Sequence, residues 1–263
     1  MKVVLFCGGL GTRLREYSRT VPKPMVTIGG EPILWHLMKY YAHFGHREFI
    51  LCLGYRGDVI EQHFVACAEE RAPVKLDRGA NGRTFSLRGG GLGEWNVTLV
   101  DTGLDAKVGE RLKSVEAYVE NDPVFLANYS DALSDLPLPA YLDYFASQDK
   151  IAAFACVRPH HTFHVVDLDD TGLVRDVRHV GTSGIRINGG FFAFKRAVFE
   201  HIREGEDLVE EPFRRLIAQG QLAAYRHDGF WHCMDTFKDK QAFDEMTARD
   251  ERPWEVWRHG GSE

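Results

Sequence analysis

Six short runs rich in β-branched and aromatic residues punctuate the chain, at 2–7 (KVVLFC), 48–53 (EFILCL), 97–100 (VTLV), 124–128 (VFLAN), 151–157 (IAAFACV) and 190–194 (GFFAF). Between them, segments 32–44, 57–69, 138–148, 196–203, 209–219 and 238–249 carry spacing compatible with helices, the first opening on Pro32 as its first helical residue and ending at Gly45. Strands separated by helices cannot pair through tight turns. The alternation therefore predicts an α/β fold, a Rossmann-like, mainly parallel sheet flanked by helices, with inserted β elements. Residues 70–96 are rich in glycine and arginine and lack periodicity, so they read as an irregular insertion, a hairpin or a lid. No repeat, low-complexity tract or linker divides the rest. The 263 residues are expected to form one domain with a short tail, whose Trp254 and Trp257 are candidates for a subunit contact.

Composition removes several classes. A formal net charge of −6, from 32 basic against 38 acidic side chains, gives no general pull toward nucleic acid or an anionic membrane, so any anion must be gripped locally. No stretch approaches the ~20 apolar residues that span a bilayer, and the run Val3–Cys7 is too short for a signal-peptide core. The five cysteines are scattered and never spaced C-x-x-C, which argues against a disulfide framework or a zinc knuckle and leads us to expect a cytoplasmic protein.

The first strand runs into Gly8, Gly9 and Gly11, followed by Arg13 and then by Lys23 between Pro22 and Pro24. Glycines at the carboxyl edge of such a sheet let backbone N–H groups approach a phosphate. The two cations that follow suit a polyphosphate, with the prolines holding the lysine's backbone extended. A nucleoside triphosphate satisfies all of this. The dinucleotide fingerprint is only partly met, since Leu14 stands where its third glycine belongs, and no G-K-[ST] triplet makes a P-loop.

The string G-G-L-G-T-R-L followed by Lys-Pro-Met resembles the entry motif of the sugar-phosphate nucleotidyltransferases. The segments GGEPILWHLMKYY, LGYRGDVI, WNVTLVDTG, INGGFF and GFWHCMDTFKDK are similar to its glucose-1-phosphate cytidylyltransferase branch, from Lys2 to about Trp257. That resemblance implies that CTP lies over the loop Gly8–Arg13, with Gly8, Gly9, Gly11 and Thr12 around it, Arg13 on its phosphates and Lys23 near the α-phosphate. It further implies that Asp131 and Asp235 hold a divalent ion, Mg2+, in keeping with that ion's use of one or two carboxylates plus phosphate oxygens. Taken singly, each aspartate is more often only a turn or cap residue, but two at matching motif positions reverse that reading. Arg111 falls where the family has a nucleotide-contacting arginine, or is a solvated residue at a helix start. Asn188, Gly189 and Gly190 align with the sugar-contacting strand.

The acceptor side departs from the family. Its Tyr-Gly-Asp-Gly reads Tyr129-Ser130-Asp131-Ala132 here, which predicts a smaller pocket, and its Glu-Lys-Pro reads Arg178-His179-Val180, without a lysine. His164 is placed near the same pocket. The expected acceptor is therefore a phosphorylated small molecule other than glucose 1-phosphate, with Arg178, Arg186 or His179 as substitute phosphate clamps. His160, His161 and His164 have no acidic or cysteine partner spaced with them and receive no assignment. A catalytically silent nucleotide-binding regulator is the rival reading, against which the retained Arg13, Lys23, Asp131 and Asp235 argue. Relatives are commonly oligomeric, so a homo-oligomer is expected.

Overall fold

A computed structural model describes residues 1–11, 21–71, 77–79, 82–88, 92–160 and 162–258. Along the chain the strands are β1 (Lys2–Phe6), β2 (Thr27–Ile28), β3 (Glu31–Pro32), β4 (Glu48–Leu53), β5 (Asp77–Gly79), β6 (Gly82–Arg88), β7 (Glu94–Asp101) and β8 (Val124–Tyr129). Further on come β9 (Ala132–Ser134), β10 (Ala152–Val157), β11 (His164–Leu168), β12 (Val174–His179), β13 (Ile187–Asn188), β14 (Phe192–Lys195), β15 (Leu222–Arg226) and β16 (Trp231–Cys233). The helices are α1 (Ile33–His43), α2 (Gly57–Arg71), α3 (Val108–Ser114), α4 (Leu138–Gln148), α5 (Glu211–Ala218) and α6 (Phe237–Ala248).

The main sheet runs β13-β10-β14-β8-β1-β4-β7-β6-β5, with β15 paired to β10. Its centre, β7-β4-β1-β8, is parallel, and antiparallel strands extend it at both margins. Val4 stands opposite Ile50 on one side and Ala127 on the other. Successive β1 side chains point to opposite faces. Val3 and Leu5 join Leu51 under Trp35 and Leu37 of α1, whereas Val4 and Phe6 join Ile50 and Cys52 against Leu112 of α3 and Leu216 of α5. Both faces are therefore dry, which is why the central strands read as unbroken apolar runs rather than alternating ones. Each such side chain contributes ~1.5–3 kcal/mol by its burial, and a one-residue slip of β1 would exchange the two sets.

Several boundaries differ from expectation for local reasons. Pro32 is the N-cap of α1, with extended ψ of 144°, and the helix starts at Ile33. Segment 196–203 is a 3-10 turn at Arg196–His201 rather than an α-helix. Within the expected insertion at 70–96, the described residues include the end of α2, the antiparallel pair β5–β6, which continues the sheet past β7, and the start of β7 itself. Trp254 is not a contact residue: it is buried within the chain against Phe230 and Phe243, while Trp257 stacks on His36. No disulfide joins the cysteines, and no helix among the described residues is long and apolar enough to cross a membrane.

Candidate active site

β1 and β8 end side by side, Phe6 opposite Tyr129, and the chain beyond each lines a cleft of about 310 Å3 at the carboxyl edge of the sheet. Gly8, Gly9, Gly11, Lys23, Arg111, Tyr129, Asp131 and Asp235 all face it. Thr12 and Arg13 lie outside the described residues.

Lys23 is the centre of this site. Its ammonium donates to Asp131 Oδ2 and, at 2.5 Å, to Asp235 Oδ1, joining residues 108 and 212 positions away. Burial disfavours the charged amine, but the two carboxylates outweigh burial and raise its pKa, so it stays an ammonium. The backbone that presents it is not extended as expected. Lys23–Met25 is a 3-10 turn, closed by Met25 N–H on Pro22 O at 2.8 Å and Val26 N–H on Lys23 O at 3.2 Å. Pro24 falls within the first turn, where its missing N–H costs no bond. Asp131 follows β8, and Asp235 precedes α6, whose capping box pairs Thr236 with Asp239.

Arg111 is neither solvated nor at the helix start. It is the fourth residue of α3 and 4% exposed, and its guanidinium lies beneath the glycine turn. Nη1 donates to Leu53 O (3.0 Å), Thr102 Oγ1 (2.8 Å) and Gly103 O (2.8 Å); Nη2 donates to Gly8 O (3.0 Å) and Leu104 O (3.2 Å). One buried cation thus ties together the loops after β1, β4 and β7. Gly8 is required by this packing, because a Cβ there would stand 2.1 Å from Nη1. Burial also lowers the Arg111 pKa and pushes the neighbouring Cys7 thiol up to about 12.

Of the residues expected to meet the acceptor, Tyr129 lines the cleft, whereas Asn188 and Gly189 do not; Tyr129 OH accepts a 3.4 Å hydrogen bond from Asn188 Nδ2, and Asn188 Oδ1 accepts one from Gly190 N–H. Burial, with the charge of Asp207 next, raises the Tyr129 pKa. Gly189 O accepts from Trp231 Nε1 at 2.8 Å. Ser130 faces the cleft, yet its hydroxyl donates to Phe6 O at 2.7 Å, and Ala132 is buried in β9 opposite Cys233 without lining the cleft. His164, Arg178 and His179 sit on the β11–β12 hairpin, His164 opposite His179, and none of the three lines the cleft. Arg178 pairs with Asp176 at 3.0 Å. Arg186 is engaged by Asp228 and by the carbonyls of Cys156 and His227.

Sequence reasoning missed Lys107 and Asp207 on the cleft wall. Both lie in connections without periodic signal, Lys107 just before α3 and Asp207 before α5. Only tertiary packing brings them here.

A sequence model described as nucleotidyl transferase matches residues 2–247. The glucose-1-phosphate cytidylyltransferase of Salmonella typhi is 39% identical over 259 residues, spanning 98% of this chain and 100% of that protein. The probable glucose-1-phosphate cytidylyltransferase of Bacillus subtilis (strain 168) is 34% identical over the same shares. Among solved structures, HddC from Yersinia pseudotuberculosis superposes with a TM-score of 0.65 at 20% identity, covering 94% of this chain and 99% of that one. At that identity the likeness concerns the fold alone.

Proposed function

Because this chain belongs to the nucleotidyl transferase family, we propose that it moves a cytidylyl group from CTP onto the phosphate of a phosphorylated sugar or related acceptor, releasing pyrophosphate. The observation that carries this reading is the Lys23 ammonium held between Asp131 and Asp235 at the glycine-edged cleft. Two hard carboxylate oxygens already converge on one positive centre, which supports Asp131 and Asp235 as the residues that would hold Mg2+. When bound, that ion supplies neutralising charge to phosphate oxygens.

The charges lining the cleft make the same point. Lys23, Lys107 and Arg111 are balanced there by Asp131, Asp207 and Asp235, so a polyanionic triphosphate requires further positive charge. Arg13 is the residue proposed to add part of it. An oxygen of the acceptor's phosphate attacks the α-phosphorus; the new P–O bond forms as the bond to the bridging oxygen breaks, and pyrophosphate leaves with that electron pair. An ionised phosphate needs no base to activate it. The chain's task is to align the two phosphates and to answer the charge that develops, which falls to Lys23 and to the amides of the glycine turn.

Tyr129, Asn188 and Gly189 are proposed to border the acceptor. Ser130 is tied to Phe6 O and Ala132 does not line the cleft, so the proposed preference for an acceptor other than glucose 1-phosphate follows from the missing lysine at 178–180. The test is product identification after incubating the protein and Mg2+ with each nucleoside triphosphate and a panel of phosphorylated acceptors. A cytidine diphosphate-linked product is expected. Use of glucose 1-phosphate at least as well as every other phosphate would remove the acceptor preference. Tight CTP binding without turnover on any acceptor would favour the silent regulator.

A further inference from the structure

His160 follows β10, His232 is the middle residue of β16, and Asp239 lies in the first turn of α6. Separated by as many as 79 residues in sequence (239 less 160), they present one ligand atom each within 4.8 Å of one another. Nε2 of His160 is 3.5 Å and Nε2 of His232 is 3.4 Å from the same Asp239 Oδ1. These separations are long for hydrogen bonds, which centre on about 2.9 Å. They match the ~3.3 Å between neighbouring ligand atoms of a tetrahedral zinc ion with bonds of about 2.0–2.1 Å.

The carboxylate is positioned from behind. Asp239 Oδ2 accepts the N–H of Asp235 (3.1 Å), the N–H of Thr236 (2.7 Å) and the Thr236 hydroxyl (2.8 Å), leaving Oδ1 turned to the imidazoles. The two rings stack with centroids 3.8 Å apart. Trp231 and Phe243 pack around them, and the three side chains remain 12–17% exposed.

We propose that His160, His232 and Asp239 form a second metal site, selective for a zinc-class divalent ion, that clips the segment after β10 onto the start of α6 beside Asp235. Two imidazoles and one carboxylate are a borderline donor set that discriminates against Mg2+, whose preference is for oxygen. The fourth position is left to water. Because Asp239 also receives the Asp235 N–H, loading this site stiffens the turn that carries one of the proposed Mg2+ ligands.

The test is cobalt(II) titration of the chelator-treated full chain, followed by visible absorption, with zinc competition and thermal unfolding alongside. Wild-type protein should bind one equivalent with the intense bands of four-coordinate cobalt, and zinc should abolish them and raise the unfolding temperature. His232→Gln and His160→Gln, each checked for a native far-ultraviolet spectrum, should weaken zinc binding at least ~100-fold and lose the bands. Asp131→Asn should keep them. The proposal is overturned if folded wild-type protein gives no such bands, if either folded histidine variant retains them, or if Asp131→Asn loses them, which would place the cobalt at the Asp131–Asp235 pair.

Discussion

Replacing Gly8 with alanine should damage this protein far more than replacing its neighbour Gly9. A Cβ at position 8 would stand 2.1, 2.3 and 2.8 Å from Arg111 Nη1, Cζ and Nη2, whereas a Cβ at position 9 has no neighbour within 4 Å among the described residues. Carbon needs roughly 3.5 Å of clearance, so the guanidinium must move by more than an ångström. It cannot do so cheaply. Its donors are committed to four backbone carbonyls and a threonine hydroxyl, and withdrawal would leave a buried charge under-bonded. Disrupting a buried charged network costs about 3–5 kcal/mol, while Gly9→Ala should stay within about 0.5 kcal/mol of wild type. Urea unfolding of Gly8→Ala, Arg111→Ala and the double variant measures this as a cycle. The two substitutions should be less than additive by at least ~2 kcal/mol, because each already breaks the same contact. Equal effects of Gly8→Ala and Gly9→Ala, or strict additivity in the cycle, would refute the reasoning.

Asp131→Asn or Asp235→Asn should lower turnover by about two to three orders of magnitude in a pyrophosphate-release assay, and an undiminished rate in both would remove the proposed Mg2+ site. Lys23→Met should lower turnover by about 100-fold yet strengthen Mg2+ binding by the nucleotide-free protein in calorimetry, since the competing ammonium is gone; weaker binding would count against the shared-cation geometry. Cys7 should be alkylated later than Cys67 and Cys156 at pH 8, because burial raises its pKa to about 12 and disfavours the reactive thiolate. Peptide mass spectrometry would expose the error if Cys7 reacted before the half-buried Cys67 and Cys156.

Much of the scaffold was legible because its signals are local. A dry strand such as Val3–Phe6 needs an unbroken apolar run, and α1 needs its apolar residues at helical spacing, so β1, β4, β8, β10, α1 and α4 could be read directly. The β11–β12 hairpin was not, since both strands are largely exposed and carry little apolar periodicity. The glycine turn, Lys23 and the two aspartates were recognised by residue type and motif. Their mutual arrangement was not, because a salt bridge leaves no trace in the spacing of residues 108 or 212 apart.

The sequence by itself determined the order of strands and helices and the residue types available at the sheet's edge, because side-chain periodicity records which faces are dry. Tertiary structure alone decided who meets whom: that Arg111 turns inward beneath Gly8, that one ammonium serves two distant carboxylates, and that His160 finds His232 and Asp239. The physical reason is that burial is encoded locally, whereas electrostatic partnership depends on distance in space, which only the folded sheet establishes.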